Sequence, residues 1–478
     1  MSNTTNRISR RSFMRGSAML AGGTLLAACG GASARPAAQP AQQKTEPTKE
    51  AAAPTEAPKP ASGAQTLRLS VWADVQDSAV YKNIVDTWQS KQSEYTVTTE
   101  QYPGGYYEKI QANFAAGTPA DVLYFQGWSM PAYAEDNVIM PLDDLIQTND
   151  LASKFPAGTN YDNMTKWHGK TYMTPTDVGS LVVYYNKDLF DKRQVPYPKK
   201  GWTWDDFKAA VEKLSFEENG TRYYGWAQAG GWNGSYGRCA AFMRRNGYQE
   251  WDQIIEPKKA LWDHPDVVDT LQFMIYDAIS NKWSPGPDVI TGGGVGVDTG
   301  RVAMVFEGPW YLPQMYGDIA SLKDKGGIKF DVAEPPVGTS GRNTTFGHVH
   351  GHCVAASTKV AKGAGDLIKH ILSDEGQTII ANGGRMTGHP DNIDKIWGPI
   401  ASKKFNFSNI GAFSNGMREG STPLIMGQGS ELGAYGGGPI NKLWDALLGL
   451  QKTAKEAVPE ANTGIQALLD DYWKTRTK

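Results

Sequence analysis

From Thr66 onward the hydrophobic and polar positions change period repeatedly. Leu67, Leu69 and Val71 alternate with Arg68 and Ser70 and run into Trp72, the two-residue period of a strand. Val80, Ile84, Val85 and Trp88 then recur at helical spacing. Asp121-Val122-Leu123-Tyr124-Phe125 and Leu181-Val182-Val183-Tyr184-Tyr185 are continuous apolar runs, as expected of strands covered on both faces. Thr203-Trp204-Asp205-Asp206 has the form of a capping box before Phe207, Ala210, Val211 and Leu214, so a helix is predicted to start there. Ala364, Leu367, Ile368, Ile371 and Leu372 mark another amphipathic helix. This alternation predicts an α/β fold with parallel sheets, and the length of residues 66–478 suggests two lobes. No internal repeat of about 20–50 residues is visible.

Before residue 66 the pattern is different. Arg7, Arg10, Arg11 and Arg15 form a basic start, and Met19 to Ala28 is an apolar stretch too short to span a bilayer. That is the architecture of a secretory signal over residues 1–28. Ser9-Arg10-Arg11-Ser12-Phe13 resembles a twin-arginine export motif, and Leu26-Ala27-Ala28-Cys29 resembles a bacterial lipobox with Cys29 as the lipidated residue. Residues 30–65 contain eleven Ala and six Pro with no aromatic, Val, Ile or Leu, so they cannot bury a core and read as an extended tether. The expectation is a soluble domain, 66–478, held at a membrane surface by acyl chains on Cys29.

Charge and composition narrow the chemistry. The chain has 48 Lys+Arg and 50 Asp+Glu; removing residues 1–28 deletes four Arg, so the mature balance is 44 − 50 = −6. No basic footprint for nucleic acid is present. Three cysteines cannot make a disulfide framework, and Cys239 and Cys353 are left as either buried thiols or a pair. Gly234-Ser235-Tyr236-Gly237 lacks the first glycine of a hydrolase elbow because position 233 is Asn. No phosphate-binding Walker loop and no His-Glu-x-x-His occur, and Gly292-Gly293-Gly294-Val295-Gly296 follows a Pro-rich segment rather than a strand, reading as a loop. Nothing here points to catalysis or to a cofactor.

Two features call for an explanation. His348-Val349-His350-Gly351-His352 places three imidazoles on one face of a strand, a candidate metal cluster or a polar cleft face, with Cys353 pointing the other way. No carboxylate is evident on that face from the sequence. The fifteen tryptophans all follow residue 66, and many sit beside Gly, Asp or Asn: Trp72-Ala-Asp74, Gly127-Trp128, Gly201-Trp202, Gly231-Trp232-Asn233 and Gly308-Pro309-Trp310. An aromatic face beside a polar fork suits a sugar, which has apolar C–H faces and hydroxyl edges. For any single tryptophan the core is the favoured place.

Five ordered blocks resemble one family. Leu69-Ser70-Val71-Trp72-Ala73-Asp74, Phe114-Ala115-Ala116-Gly117-Thr118-Pro119-Ala120-Asp121, Tyr185-Asn186-Lys187-Asp188-Leu189-Phe190, Trp202-Thr203-Trp204-Asp205-Asp206-Phe207 and Gly300-Arg301-Val302-Ala303-Met304 with Gly308-Pro309-Trp310 resemble segments of family 1 extracellular solute-binding proteins. These are the carbohydrate receptors of ABC importers, similar to maltose-binding protein. The resemblance implies a two-lobed, type II periplasmic-binding-protein-like fold with hinge crossovers and an interlobe ligand cleft. It implies one lobe over about 66–177 and 331–385, and the other over about 178–330 and 386–478, with crossings near Asp177–Gly179, Phe330–Pro335 and Arg385. It implies a monomer that meets permease subunits, takes a carbohydrate and performs no catalysis. The implied ligand contacts are Asp74, Gln76, Phe125, Trp128, Asp177, Trp232, Tyr236 and Trp310, with Trp310 as stacking platform and Asp177 as hydroxyl acceptor. His348, His350 and His352 depart from the small residues usual at this strand. A glycoside-active enzyme and a metal receptor built on these histidines are the alternatives.

Overall fold

The computed structural model describes residues 63–72, 75–155, 164–227, 235–291, 299–312, 329–340, 345–405, 407–419, 421–422 and 438–476. The signal segment, Cys29 and nearly all of the tether lie outside these residues. The chain begins with β1 (Gln65–Trp72), α1 (Val75–Gln89), β2 (Tyr95–Tyr102), α2 (Tyr106–Ala115) and β3 (Val122–Gln126), two successive strand–helix units. It continues through β4 (Asp177–Ser180), β5 (Val182–Asn186), α3 (Trp204–Leu214), α4 (Ser235–Asn246), β6 (Met304–Glu307) and β7 (Phe330–Ala333). The last elements that concern the site are β8 (Thr345–Val354), α5 (Ala361–Ile371), β9 (Met386–Thr387), α6 (Gly411–Glu419), β10 (Ser421–Thr422), α7 (Gly438–Leu448) and α8 (Ala454–Arg476).

Two sheets organise the molecule. The larger has the order β9-β4-β8-β3-β1-β2, with β10 paired to β8; the smaller has the order β6-β5-β7. β1 runs parallel to β2 and β3, as the strand–helix alternation predicts. β10 is also parallel to β8, but the other pairings correct that expectation: β8 is antiparallel to β3 and β4, β9 is antiparallel to β4, and the smaller sheet is antiparallel throughout. Strands joined by an ordinary helical crossover come out parallel. Those entered from the other sheet arrive from the opposite end.

The chain passes from the larger to the smaller sheet at Leu181, between β4 and β5, and returns between Ala333 and Thr345. Beyond Arg385 the chain is shared. β9 and β10 pair with the larger sheet, while Phe407 and Phe413 set their rings edge-on to Tyr184 of β5. α7 and α8 bury Ile440, Leu443, Trp444, Ile465 and Leu469 in the core beside the smaller sheet.

The helices form where the apolar spacing places them. Val80, Ile84, Val85 and Trp88 of α1, with Leu367, Ile368 and Ile371 of α5, cover one face of the larger sheet over Leu67, Leu69 and Val71. Each such side chain contributes about 1.5–3 kcal/mol on full burial. α3 is opened by the predicted capping box: the Asp206 N–H donates to Thr203 Oγ1 at 3.1 Å and the Thr203 N–H donates to the Asp206 carboxylate at 2.8 Å. Most described tryptophans are core; Trp226, Trp251, Trp262 and Trp397 are fully buried. Among the described residues no helix is long and apolar enough to cross a membrane.

Candidate functional site

Strand register assembles the site. β8 lies between β3 and β4, and His350 stands opposite Asp177 on one side and Gln126 on the other. His348, two residues earlier on the same face, stands opposite Gly179. A Cβ at Gly179 would come within 2.6 Å of His348 Cε1 and 2.8 Å of Trp310 Cζ3, so glycine there lets the imidazole and the indole rest against the strand. The rings of His348 and His350 stack with centroids 3.8 Å apart.

Asp177 is buried among these groups. Tyr124 donates its hydroxyl to Oδ2 at 2.5 Å. Around Oδ1 lie His350 Nδ1 at 3.7 Å, His348 Nε2 at 3.8 Å and Arg385 Nη1 at 3.6 Å. Burial pushes the carboxyl pKa up. Arg385 and the two histidines outweigh that and hold it below the ordinary carboxylate range, so Asp177 stays charged. Burial also pulls His348 down, and pulls His350 well down with the help of His348, so both imidazoles are neutral near pH 7. His350 Nε2 is buried without a hydrogen-bond partner.

Two half-buried indoles flank this wall. Trp128, just after β3, meets His350 edge-on at 5.3 Å. Trp310, just after β6 of the smaller sheet, meets His348 at 4.8 Å. Trp310 is pinned from behind: its Nε1–H donates to Glu307 Oε2 at 2.9 Å, and Glu307 is itself ion-paired to the buried Arg238. The loop is tied down by Tyr184, whose hydroxyl donates to the Gly308 carbonyl at 2.7 Å. The indole folds over Gly308, where a Cβ would lie 2.0 Å from Trp310 Cζ3. The arrangement thus offers apolar ring surface from both sheets and, between them, an ionised acceptor with neutral imidazoles that accept or donate.

Asp177, Trp128, Trp310, His348 and His350 are brought together here. Phe125 is not: it is fully buried on the opposite face of β3, with its ring 4.6 Å from Tyr133. Alternation along β3 puts Tyr124 on the site side instead. Tyr236 is likewise withdrawn from the cleft. It lies in the core on the first turn of α4, donates to Glu250 at 2.8 Å and accepts from Trp251 Nε1 at 2.7 Å. His352 leaves the cluster, bonding Thr176 Oγ1 through Nδ1 at 2.8 Å and packing against Tyr81 and Tyr124. Burial pulls its pKa down to about 4. Asp74 and Trp232 lie outside the described residues, as does the side chain of Gln76. Cys239 and Cys353 are separate buried thiols. The sequence reading missed Tyr124, Arg385, Glu307 and Arg238. It also missed the carboxylate on the histidine face, which Asp177 supplies from the neighbouring strand.

Comparison with known proteins matches residues 83–392 to the bacterial extracellular solute-binding protein family. An uncharacterised ABC transporter extracellular-binding protein of Pyrococcus horikoshii is 30% identical over 98 residues, 20% of this chain and 21% of that protein. The galactooligosaccharide-binding protein of Bacillus subtilis is 24% identical over 166 residues, 35% of this chain and 38% of that one. The chain thus spans well under half the length of these curated relatives. In three dimensions it is similar to an ABC substrate-binding protein from Listeria monocytogenes solved in complex with cycloalternan, with a TM-score of 0.69 and 19% identity, covering 85% of this chain and 99% of that one. That likeness establishes the two-lobed α/β periplasmic-binding-protein-like fold. With its family match running from α1 past β9, the chain belongs to the bacterial extracellular solute-binding proteins.

Proposed function

We propose that this protein is a lipid-anchored, extracytoplasmic receptor that binds a carbohydrate between its two lobes and delivers it to the permease of an ABC importer. The observation that carries the reading is the pair of half-buried indoles, Trp128 and Trp310, contributed from the two sheets on either side of the Asp177–His348–His350 wall. A sugar ring sets its C–H faces against such indoles and its hydroxyls against the carboxylate and the imidazoles. The galactooligosaccharide of the Bacillus protein and the cycloalternan of the Listeria complex support a carbohydrate here.

In mechanism, ligand contacts from both lobes favour the closed state, and rotation about the connections near Leu181 and residues 333–345 opens it. Losing a hydroxyl partner to Asp177 would leave a buried charge less satisfied, which gives discrimination of about 1–3 kcal/mol. The closed monomer is what the transporter reads, and ATP is hydrolysed elsewhere. Up to Arg385 the lobes are read as the sequence divides them, beyond it the chain serves both, and residues 1–28 act as export signal with Cys29 as anchor. Replacing Cys29 by Ser releases the protein from membranes; retention in the membrane fraction would refute the anchor.

A thermal-shift screen against mono- and oligosaccharides tests the function. At least one sugar should raise Tm, since ligand at a hundred times its Kd adds about 2.7 kcal/mol to stability. No shift with any carbohydrate would remove the reading. Release of a cleaved product from the best ligand would favour a glycoside-active enzyme instead.

A further inference from the structure

We propose that Asp177, His348 and His350 bind a single divalent transition-metal ion, with zinc as the probe. The sequence points to three histidines of β8 as the metal-like group, but the structure divides them. His352 is taken by Thr176, while the carboxylate of Asp177 completes the set with the other two. One ligand atom from each of Asp177, His348 and His350 lies within 4.8 Å of the other two.

The geometry is near what an ion needs. Zinc bonds to imidazole nitrogen and carboxylate oxygen are about 2.0–2.2 Å long, so tetrahedral ligands stand about 3.4 Å apart. The two Oδ1–nitrogen separations are 3.7 and 3.8 Å, a few tenths of an ångström above that spacing, and all three ligand atoms lie within 4.8 Å of one another. Two imidazoles and one carboxylate favour zinc, copper or nickel over calcium or magnesium, which prefer all-oxygen shells. Both imidazoles are buried on the strand face that meets Asp177. Burial of all three groups sets the cluster apart from Glu135–His168–Glu256, whose imidazole side chain is 62% exposed and already 3.2 Å from Glu256. Three protein ligands leave a fourth position for water or for a ligand oxygen.

Arg385 is the competing cation. Its Nη1 stands 3.6 Å from the same Oδ1, and its side chain is 24% exposed, so it has a route outward when an ion enters. Removing that charge should not weaken metal binding.

The test is calorimetric titration of tag-free, chelator-dialysed full-length protein with zinc chloride. Native protein should take one ion through this site, with Kd raised at least tenfold in His350→Ala and in His348→Ala. His168→Ala should leave that affinity unchanged, and Arg385→Gln should keep or tighten it. No zinc uptake by native protein, native affinity in both cleft variants, or a loss confined to His168→Ala would each overturn the proposal. Circular dichroism establishes folding. If the alanine variants do not fold, Asp177→Asn, which keeps the shape of the side chain, carries the same expectation of a tenfold loss. The proposal does not rest on the carbohydrate reading. A Tm shift by sugar in the presence of chelator tests that reading alone, and zinc uptake without sugar tests this one alone.

Discussion

The molecule contains two buried clusters made of nearly the same parts, and they have opposite characters. In the core beside the smaller sheet, Glu250 is fully buried, accepts from Tyr236 at 2.8 Å, and is gripped by Arg244 through Nη2 at 2.5 Å and Nε at 3.1 Å. Trp251 closes the network by donating to the Tyr236 oxygen at 2.7 Å. At the other cluster, Asp177 also has a tyrosine, an arginine and flanking tryptophans. There Tyr124 donates to Oδ2 at 2.5 Å, while the nitrogens of His348, His350 and Arg385 stand 3.6–3.8 Å from Oδ1. A carboxylate whose partners are all in place has a structural task. One whose charged and imidazole partners stand 3.6–3.8 Å away, next to half-buried indoles, is held less tightly.

The largest expected effect breaks the closed network. Arg244→Ala leaves Glu250 as a buried, uncompensated charge and should cost about 3–5 kcal/mol of stability in denaturant titration. Tyr236→Phe removes one donor and one acceptor from the same network and should cost about 1–3 kcal/mol. It should leave ligand affinity unchanged, because the residue is in the core. A Tyr236→Phe variant of native stability and weakened sugar binding would put this tyrosine back in the cleft.

At the open cluster the signs reverse. Asp177→Asn keeps the shape and the contact to Tyr124, so it should cost less stability than Arg244→Ala. Ligand affinity should fall at least tenfold, about 1.4 kcal/mol, by calorimetry. Equal loss of stability in Asp177→Asn and Arg244→Ala would erase the contrast.

The smallest effect is on pH dependence. An unfolded histidine titrates near about 6.5, and burial holds His348, His350 and His352 below that in the folded state. As pH falls below 6.5 the unfolded chain binds protons that the folded chain refuses, so stability drops towards pH 4. Asp177, depressed when folded, adds a loss of the same sign below the usual aspartate range. Tm should therefore fall steadily from pH 7 to pH 4.5, and His352→Gln, which cannot gain a proton, should flatten the fall. A Tm that rises on acidification would contradict these buried neutral imidazoles.

The contrast also marks how far the sequence was legible. Helical spacing in α1 and α5 and the capping box of Thr203 were local signals, and the elements lie where those signals put them. The histidines were visible because alternation along one strand is also local. Their partners were not, because Asp177 meets His350 only through the antiparallel pairing of β4 with β8. The same non-local register hid Arg385, which reaches Asp177 from just before β9. Phe125 was misplaced because a continuous apolar run gives no clue to which face of a doubly covered strand is which. Tyr236 was misplaced because its segment reads as an aromatic beside glycines whether it lines a cleft or fills a core. The run from Leu181 looked like the body of one strand because it is uniformly apolar, yet the change of sheet occurs at its first residue.

The most direct test of the account is the affinity of native and Trp310→Ala protein for the sugar that most raises native Tm, measured by calorimetry at one pH and temperature. Glu307 and Gly308 hold the indole against the histidine wall without making it part of the core, so the variant should fold as native protein does and bind at least tenfold more weakly. An unchanged affinity would contradict the placing of the ligand between Trp310 and Asp177.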